Sequence, residues 1–151
     1  MSDPPFTLRP YEADDEAAAI GLWHRTWQQA YPAIDFTARL DWWRKRWREE
    51  IVPEATIMVA EKDGDILGFV TVVPSRGYLD QIVAAPETWS SGVAQTLLDE
   101  AKRVSPAGLT LHVNKDNARA VRFYEKHGFV IQGGDVNPNS GRPVYKMSWR
   151  P

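Results

Sequence analysis

An Asp63-Gly64 pair, set between β-rich runs at 57–60 and 66–73, constrains this chain more than any other feature. Asp-Gly suits the two-residue reversal of an antiparallel hairpin, so neighbouring antiparallel strands are expected in the first half of the chain. The second half follows another rule. Runs at 78–83, 109–113 and 129–131 read as strands, but helical patterns separate them. Val93, Leu97, Leu98 and Ala101 recur at helix spacing across 90–104. A further helix over 117–127 meets Gly128, the residue type that ends helices. A last strand at 144–149 follows a polar stretch at 133–143, rich in Gly, Asn and Pro, that reads as a loop able to close over a bound molecule.

Ahead of the hairpin, 6–9 reads as a strand and Asp14 or Asp15 opens a helix that runs to about Gln29 and breaks at Tyr31-Pro32. A second helix begins near Asp35 or Thr37. It carries Phe36, Leu40, Trp43 and Trp47 on one face and Arg44, Lys45, Arg46 and Arg48 on the other. The order β-α-α-β-β-β-α-β-α-β-β, with a hairpin early and helical crossovers late, predicts an α/β (α+β) fold. Its central sheet is mixed, mostly antiparallel and flanked by helices. At 151 residues with no linker, one domain over 1–151 is expected.

Composition removes several functions. There are no cysteines, which excludes disulfides, a thiol nucleophile and a Cys-based metal centre. The three histidines show no ligand spacing, so no metal is expected. Lys plus Arg (18) nearly balances Asp plus Glu (20) for a net charge of -2, and Glu49 and Glu50 follow the basic strip at 44–48 directly. That strip is a solvated helix face, and no nucleic-acid partner is expected. The apolar run at 66–73 is far short of the roughly 20 residues that span a bilayer, and the N-terminus lacks a secretory pattern. No membrane partner and a cytoplasmic location are therefore expected. A homodimer is compatible with this size, and the sequence does not fix it.

The chemistry concentrates in two segments. In the first, a strand through Tyr78, Asp80, Ile82, Val83 and Ala84 stops at Ala85-Pro86, and a helix begins among Ser90, Ser91, Gly92, Val93, Ala94 and Gln95. Helix N-termini present unpaired N–H groups and the positive end of the dipole, which suits phosphate, and small residues let a phosphate approach. A plain Ser cap explains the same residues. In the second segment Asn117, Ala120, Phe123, Tyr124, Gly128 and Phe129 follow a strand. Asn117 reads equally as a helix cap and Tyr124 as core.

Taken together, the two segments resemble the GCN5-related N-acetyltransferases. The first matches that family's pattern of Arg or Gln, two residues, Gly, one residue, Gly or Ala. The second matches Asn, two residues, Ala, two residues, Phe-Tyr, three residues, Gly-Phe. The resemblance spans about residues 6–149. One position departs from it: Trp89 stands where the pattern has Arg or Gln.

The resemblance implies acetyl-CoA as acetyl donor and direct attack by the primary amine of a small molecule or peptide in a ternary complex. Ile82, Val83 and Ala84 would pair with the pantetheine arm and polarise the thioester carbonyl. The backbone from Ser90 to Gln95 would hold the diphosphate, Asn117 would hold the donor from the other side, and Tyr124 would protonate the departing thiolate. Asp80 is the leading candidate for the base that deprotonates the amine, with His112 and His24 behind it and Glu87 too far along its loop. Trp27 and Tyr31 would wall the acceptor pocket. A non-catalytic acyl-CoA-binding sensor or interaction module is the alternative.

Overall fold

The computed structural model describes residues 6–89, 91–138 and 140–151. Seven strands form one sheet: β1 (Thr7–Pro10), β2 (Thr56–Lys62), β3 (Asp65–Val73), β4 (Tyr78–Ala84), β5 (Leu109–Asn114), β6 (Val130–Val136) and β7 (Pro143–Trp149). Their spatial order is β1-β2-β3-β4-β5-β7-β6, and every pairing is antiparallel except that of β4 with β5. The helices are α1 (Glu16–Ala30), α2 (Leu40–Arg46), the short α3 (Val52–Glu54), α4 (Val93–Val104) and α5 (Ala118–Lys126). The sheet is thus mixed and mostly antiparallel, as the element order predicts.

The hairpin between β2 and β3 turns at Asp63 and Gly64, whose φ angles of 52° and 85° are the paired left-handed values a two-residue hairpin needs. Between α2 and α3 the helix widens into a π turn over Trp47–Ile51. The second expected helix is therefore continuous in path but not in hydrogen bonding.

Each face of the sheet has its own core. On one face α1, α2 and the π turn that follows α2 bring Trp23, Trp43 and Trp47 onto Val59, Phe69 and Val83, all buried. Trp23 and Trp43 stack at 4.7 Å between centroids, and Trp47 meets Phe69 edge-on at 5.3 Å. Three of the tryptophans clustered in the first third of the chain are thus structural. On the other face α4 packs Val93, Leu97, Leu98 and Ala101 against Val70, Leu111 and Met147. A side chain at Gly68 would put its Cβ 2.7 Å from the Val83 carbonyl oxygen and 2.9 Å from Leu97 Cδ1, so glycine there lets α4 lie close on the sheet.

Two expectations are corrected. The helix expected over 90–104 starts at Val93, because Gly92 just before it takes a left-handed conformation, φ 89°, and 86–88 form a separate 3-10 turn. The loop expected over 133–143 shrinks to 137–142, because β6 continues to Val136 and pairs Gly133 with Lys146, Gly134 with Tyr145 and Val136 with Pro143. Gly134 belongs to the strand through its pairing with Tyr145, and Lys115 Nζ occupies the space beside it, 2.8 Å from where its Cβ would be.

Candidate active site

Strands β4 and β5 are paired at one position, Tyr78 with Thr110, and then part. The parting follows from what flanks them. Strand β4 is held antiparallel by β3, and β5 by β7, so nothing forces the parallel pair to stay in register. The result is an opening in the middle of the sheet with α4 and α5 on one side and α1 and α2 on the other.

On the β4 rim, the Ala85 N–H donates to the Leu67 carbonyl at 2.8 Å. Antiparallel alternation then pairs Val83 with Phe69 and turns the backbone groups of Ile82 and Ala84 towards the opening. Of the three residues expected to meet a pantetheine arm, Val83 instead has its backbone directed at β3 and its side chain in the tryptophan core. The Ala84 carbonyl accepts from Trp89 Nε1 at 3.0 Å.

At the N-terminus of α4, Gly92 adopts φ 89°, and a Cβ there would meet nothing within 4 Å. The first intrahelical bond runs from the Thr96 N–H to the Gly92 carbonyl, 3.0 Å. The N–H groups of Val93, Ala94 and Gln95 precede it, and no side chain among the described residues caps them. The Ser91 hydroxyl donates back to the Thr88 carbonyl at 2.9 Å, which directs its proton away from any ligand. Ser90, expected to contribute here, lies outside the described residues. Arg119, from the first turn of α5, lies over the Trp89 ring, its Cζ 3.7 Å from the centroid.

Asn117 Oδ1 accepts from the Ala120 N–H at 3.3 Å, so this residue caps α5. Its side-chain NH2 has no partner among the described residues. Tyr124 packs edge-on against Phe123 and Phe129, and its hydroxyl makes no hydrogen bond among the described residues. Burial, with a smaller contribution from Tyr78, pushes its phenol well above the ordinary value. It therefore stays protonated through the physiological range.

On the opposite side, Asp80 receives two hydrogen bonds from Arg46, Nη2 to Oδ1 at 2.7 Å and Nη1 to Oδ2 at 3.0 Å. Both carboxylate oxygens are thereby committed, which suits anchoring α2 to β4 better than accepting a proton. Tyr78, on the same face of β4, shares a 2.9 Å hydrogen bond with His112 Nδ1. That bond spans the point where the two strands begin to part. Burial first, and Asp80 second, push the Tyr78 phenol up to about 12. His24 bonds Thr37 at 2.9 Å and Glu87 pairs with Arg25 at 2.7 Å, so each is engaged in a tie of its own.

Trp27 and Tyr31 do come together, stacked at 5.8 Å. Tyr31 then does more than line a wall. Its hydroxyl donates to Asp116 Oδ1 at 2.9 Å and accepts from Asn114 Nδ2 at 3.1 Å. Arg142 of the β6–β7 loop lies 4.8 Å from the Tyr31 ring centroid and forms an ion pair with Asp116. Sequence reasoning did not reach the Arg46–Asp80 pair, the Arg142–Asp116–Tyr31 tie or Arg119. The only sequence signal for Arg119 is its place, two residues after Asn117 at the start of a helix.

No cluster of His, Asp or Glu able to hold a metal occurs among the described residues, and none of their helices is long and apolar enough to cross a membrane. The family model described as the Acetyltransferase (GNAT) family matches residues 17–129. Peptidyl-lysine N-acetyltransferase YjaB of Salmonella typhimurium is 28% identical over 90% of this chain and 91% of its own length. Peptidyl-lysine N-acetyltransferase YiaC of Escherichia coli is 27% identical over 94% and 95%. Among solved structures, apo YjaB from Escherichia coli superposes with a TM-score of 0.78 at 24% identity, covering 95% of this chain and 97% of that one. PaiA N-acetyltransferase from Thermoplasma acidophilum, in complex with coenzyme A, reaches 0.80 at 19% identity over the full length of both.

Proposed function

The chain belongs to the GNAT acetyltransferase family, and from that premise we propose that it moves the acetyl group of acetyl-CoA to a primary amine by direct attack in a ternary complex. The peptidyl-lysine activity named for the two near-full-length relatives favours a lysine side chain as acceptor. The opening between β4 and β5, with the Tyr124 hydroxyl beside it making no hydrogen bond among the described residues, carries this reading.

The donor lies with its pantetheine arm along β4, where Ile82 and Ala84 offer backbone groups to an added strand. An N–H on that rim polarises the thioester carbonyl, and losing such a donor typically costs about 3 kcal/mol. The diphosphate meets the N–H groups of Val93, Ala94 and Gln95, and the free amide of Asn117 faces the donor from α5. The amine nitrogen attacks the carbonyl carbon, so a C–N bond forms as the C–S bond breaks. Tyr124 gives its proton to the sulfur as that bond lengthens. A phenol is a weaker acid than a thiol, so the transfer is favourable only in concert with bond cleavage, while charge builds on sulfur.

An alkylammonium must first lose a proton. Because Arg46 holds Asp80, the receiving group is placed at Tyr78 and His112. Tyr78 takes the amine proton as its own passes to His112 Nδ1 along their shared hydrogen bond. Trp27, Tyr31 and the 137–142 loop bound the acceptor side.

The test is thiol release with acetyl-CoA and a panel of lysine peptides, amino acids and spermidine, with mass spectrometry to read which amine gains acetyl. Turnover on a lysine peptide is expected. Donor binding without turnover on any amine would overturn transfer and favour the non-catalytic sensor.

A further inference from the structure

Trp89 and Arg119 meet where the two helices beside the opening begin. Trp89 lies four residues before Val93, the first residue of α4, and Arg119 is the second residue of α5. Helix N-termini carry the positive end of the backbone dipole, so each favours an anion and disfavours a cation. Neither α4 nor α5 has an acidic residue in its first turn. A guanidinium is held there all the same.

Its position is fixed rather than incidental. The Trp89 indole is pinned through its Nε1–H to the Ala84 carbonyl, 3.0 Å, and the Arg119 guanidinium carbon lies 3.7 Å from the indole ring centroid. A flat, anchored aromatic ring is a good platform for a planar cation, because stacking leaves the N–H edge of the guanidinium free. Around the same opening Arg46 and Arg142 each face a carboxylate, and Arg39 and Arg76, which like Arg119 lie over an aromatic ring, sit at ring centroid distances of 5.2 and 5.5 Å. Arg119 makes no ion pair or hydrogen bond among the described residues. Partial burial lowers its pKa, and the side chain remains open to solvent, where a ligand can reach it.

Three sources of positive potential therefore converge at one end of the opening: the α4 terminus, the α5 terminus and the Arg119 guanidinium. The complement is a group with closely spaced negative charges. We propose that Arg119, seated on Trp89, is the side chain that binds the diphosphate of the acetyl donor, pairing its N–H edge with phosphate oxygens while the first N–H groups of α4 take others. The assignment rests on the acetyl-CoA reading above and adds the residue that supplies the charge. It also gives Trp89 a role: the indole carries no charge itself and instead positions one from a different helix.

Calorimetric titration of wild type, Arg119→Ala and Arg119→Met with acetyl-CoA and with 3′-dephospho-CoA tests this. Hydrogen bonds to a charged group are worth about 1.5–3 kcal/mol, so Arg119→Ala is expected to weaken both ligands alike, by roughly 10- to 150-fold. Arg119→Met keeps apolar packing on the indole without the charge and is expected to lose as much. Thermal melting of each variant near the wild-type midpoint is the accompanying expectation. Recovery of wild-type affinity by Arg119→Met would reduce the residue to a packing role and overturn the proposal. So would a loss with acetyl-CoA that vanishes with 3′-dephospho-CoA, since that pattern assigns Arg119 to the 3′-phosphate. Unchanged affinity in both variants overturns it as well. Wild-type protein that binds neither ligand defeats the acetyl-CoA reading itself, an outcome distinct from these.

Discussion

The two sides of the opening handle polar groups in opposite ways. On the α1 and α2 side the charges that face the sheet and the opening are answered within the chain: Arg46 by Asp80, Arg48 by Glu16, Arg142 by Asp116, with Tyr31 tied to both Asn114 and Asp116. On the α4 and α5 side the Tyr124 hydroxyl and the first N–H groups of α4 make no hydrogen bond among the described residues, and the Arg119 guanidinium meets an aromatic ring rather than a carboxylate. Arginines answered by carboxylates from other elements tie a scaffold together, even though Thr26 Oγ1 and Trp43 Nε1 are buried without a hydrogen bond among the described residues. A region that leaves polar groups aimed into an opening is built around something it has yet to meet.

The contrast can be broken by substitution. Trp47→Ala removes a side chain with no exposed surface from the tryptophan core and its bond to the Tyr11 hydroxyl, 3.0 Å. It is expected to destabilise folding by about 3–5 kcal/mol, read by chemical denaturation. Loss of activity without loss of stability in that variant would contradict the scaffold role. Tyr124→Phe should do the reverse. A fall in kcat of about 100-fold or more is expected with little change in donor affinity or melting, roughly 2.7 kcal/mol of barrier. Wild-type turnover in Tyr124→Phe removes its acid role.

Asp15 sharpens the scaffold side through pH. Its carboxyl takes two hydrogen bonds from Arg9, at 2.8 and 2.9 Å, and one from the Glu12 N–H at 2.8 Å. Arg9 holds it below the usual carboxylate range. A folded pKa below the unfolded one means that the ionised form stabilises the fold. That stability is fully present above about pH 4 and is lost as the pH falls through the folded value. Asp15→Asn is expected to cost about 2 kcal/mol at pH 7. In melts run from pH 7 to pH 2 the gap from wild type should close at the acid end; a constant gap would mean the loss is one of shape alone.

The smallest effect is expected at Asp116, where the ion pair is half exposed. Asp116→Asn loosens the tie between the β6–β7 loop and Tyr31. Such pairs are worth about 0–1 kcal/mol, so the KM for amine should change by no more than about fivefold, with donor affinity as in wild type. A larger change in donor affinity would place the loop on the other side of the opening.

Local patterns made much of this readable. Asp63-Gly64 announced the hairpin because its backbone angles are set by two adjacent residues, and Trp23, Trp43 and Trp47 announced a core because helical spacing alone puts them on one face. Tyr124 came from a motif compact enough to lie on one helix. What escaped was set by partners distant in sequence. Arg46 and Asp80 are 34 positions apart, and neither residue type states whom it will meet. Trp89 read as a defect because its neighbour sits on another helix. Gly133 and Gly134 read as loop because glycine carries no strand signal, whereas the β7 ladder puts them in β6.

Pairing of β4 with β5 at the single position Tyr78–Thr110 leaves the molecule as two leaves, β1 to β4 and β5 to β7, sharing a narrow spine. Any molecule seated between the leaves touches both, so it acts as glue as well as reactant. Saturation should slow the exchange of amide hydrogens on either margin of the seam, far more than in the tryptophan-packed leaf behind it.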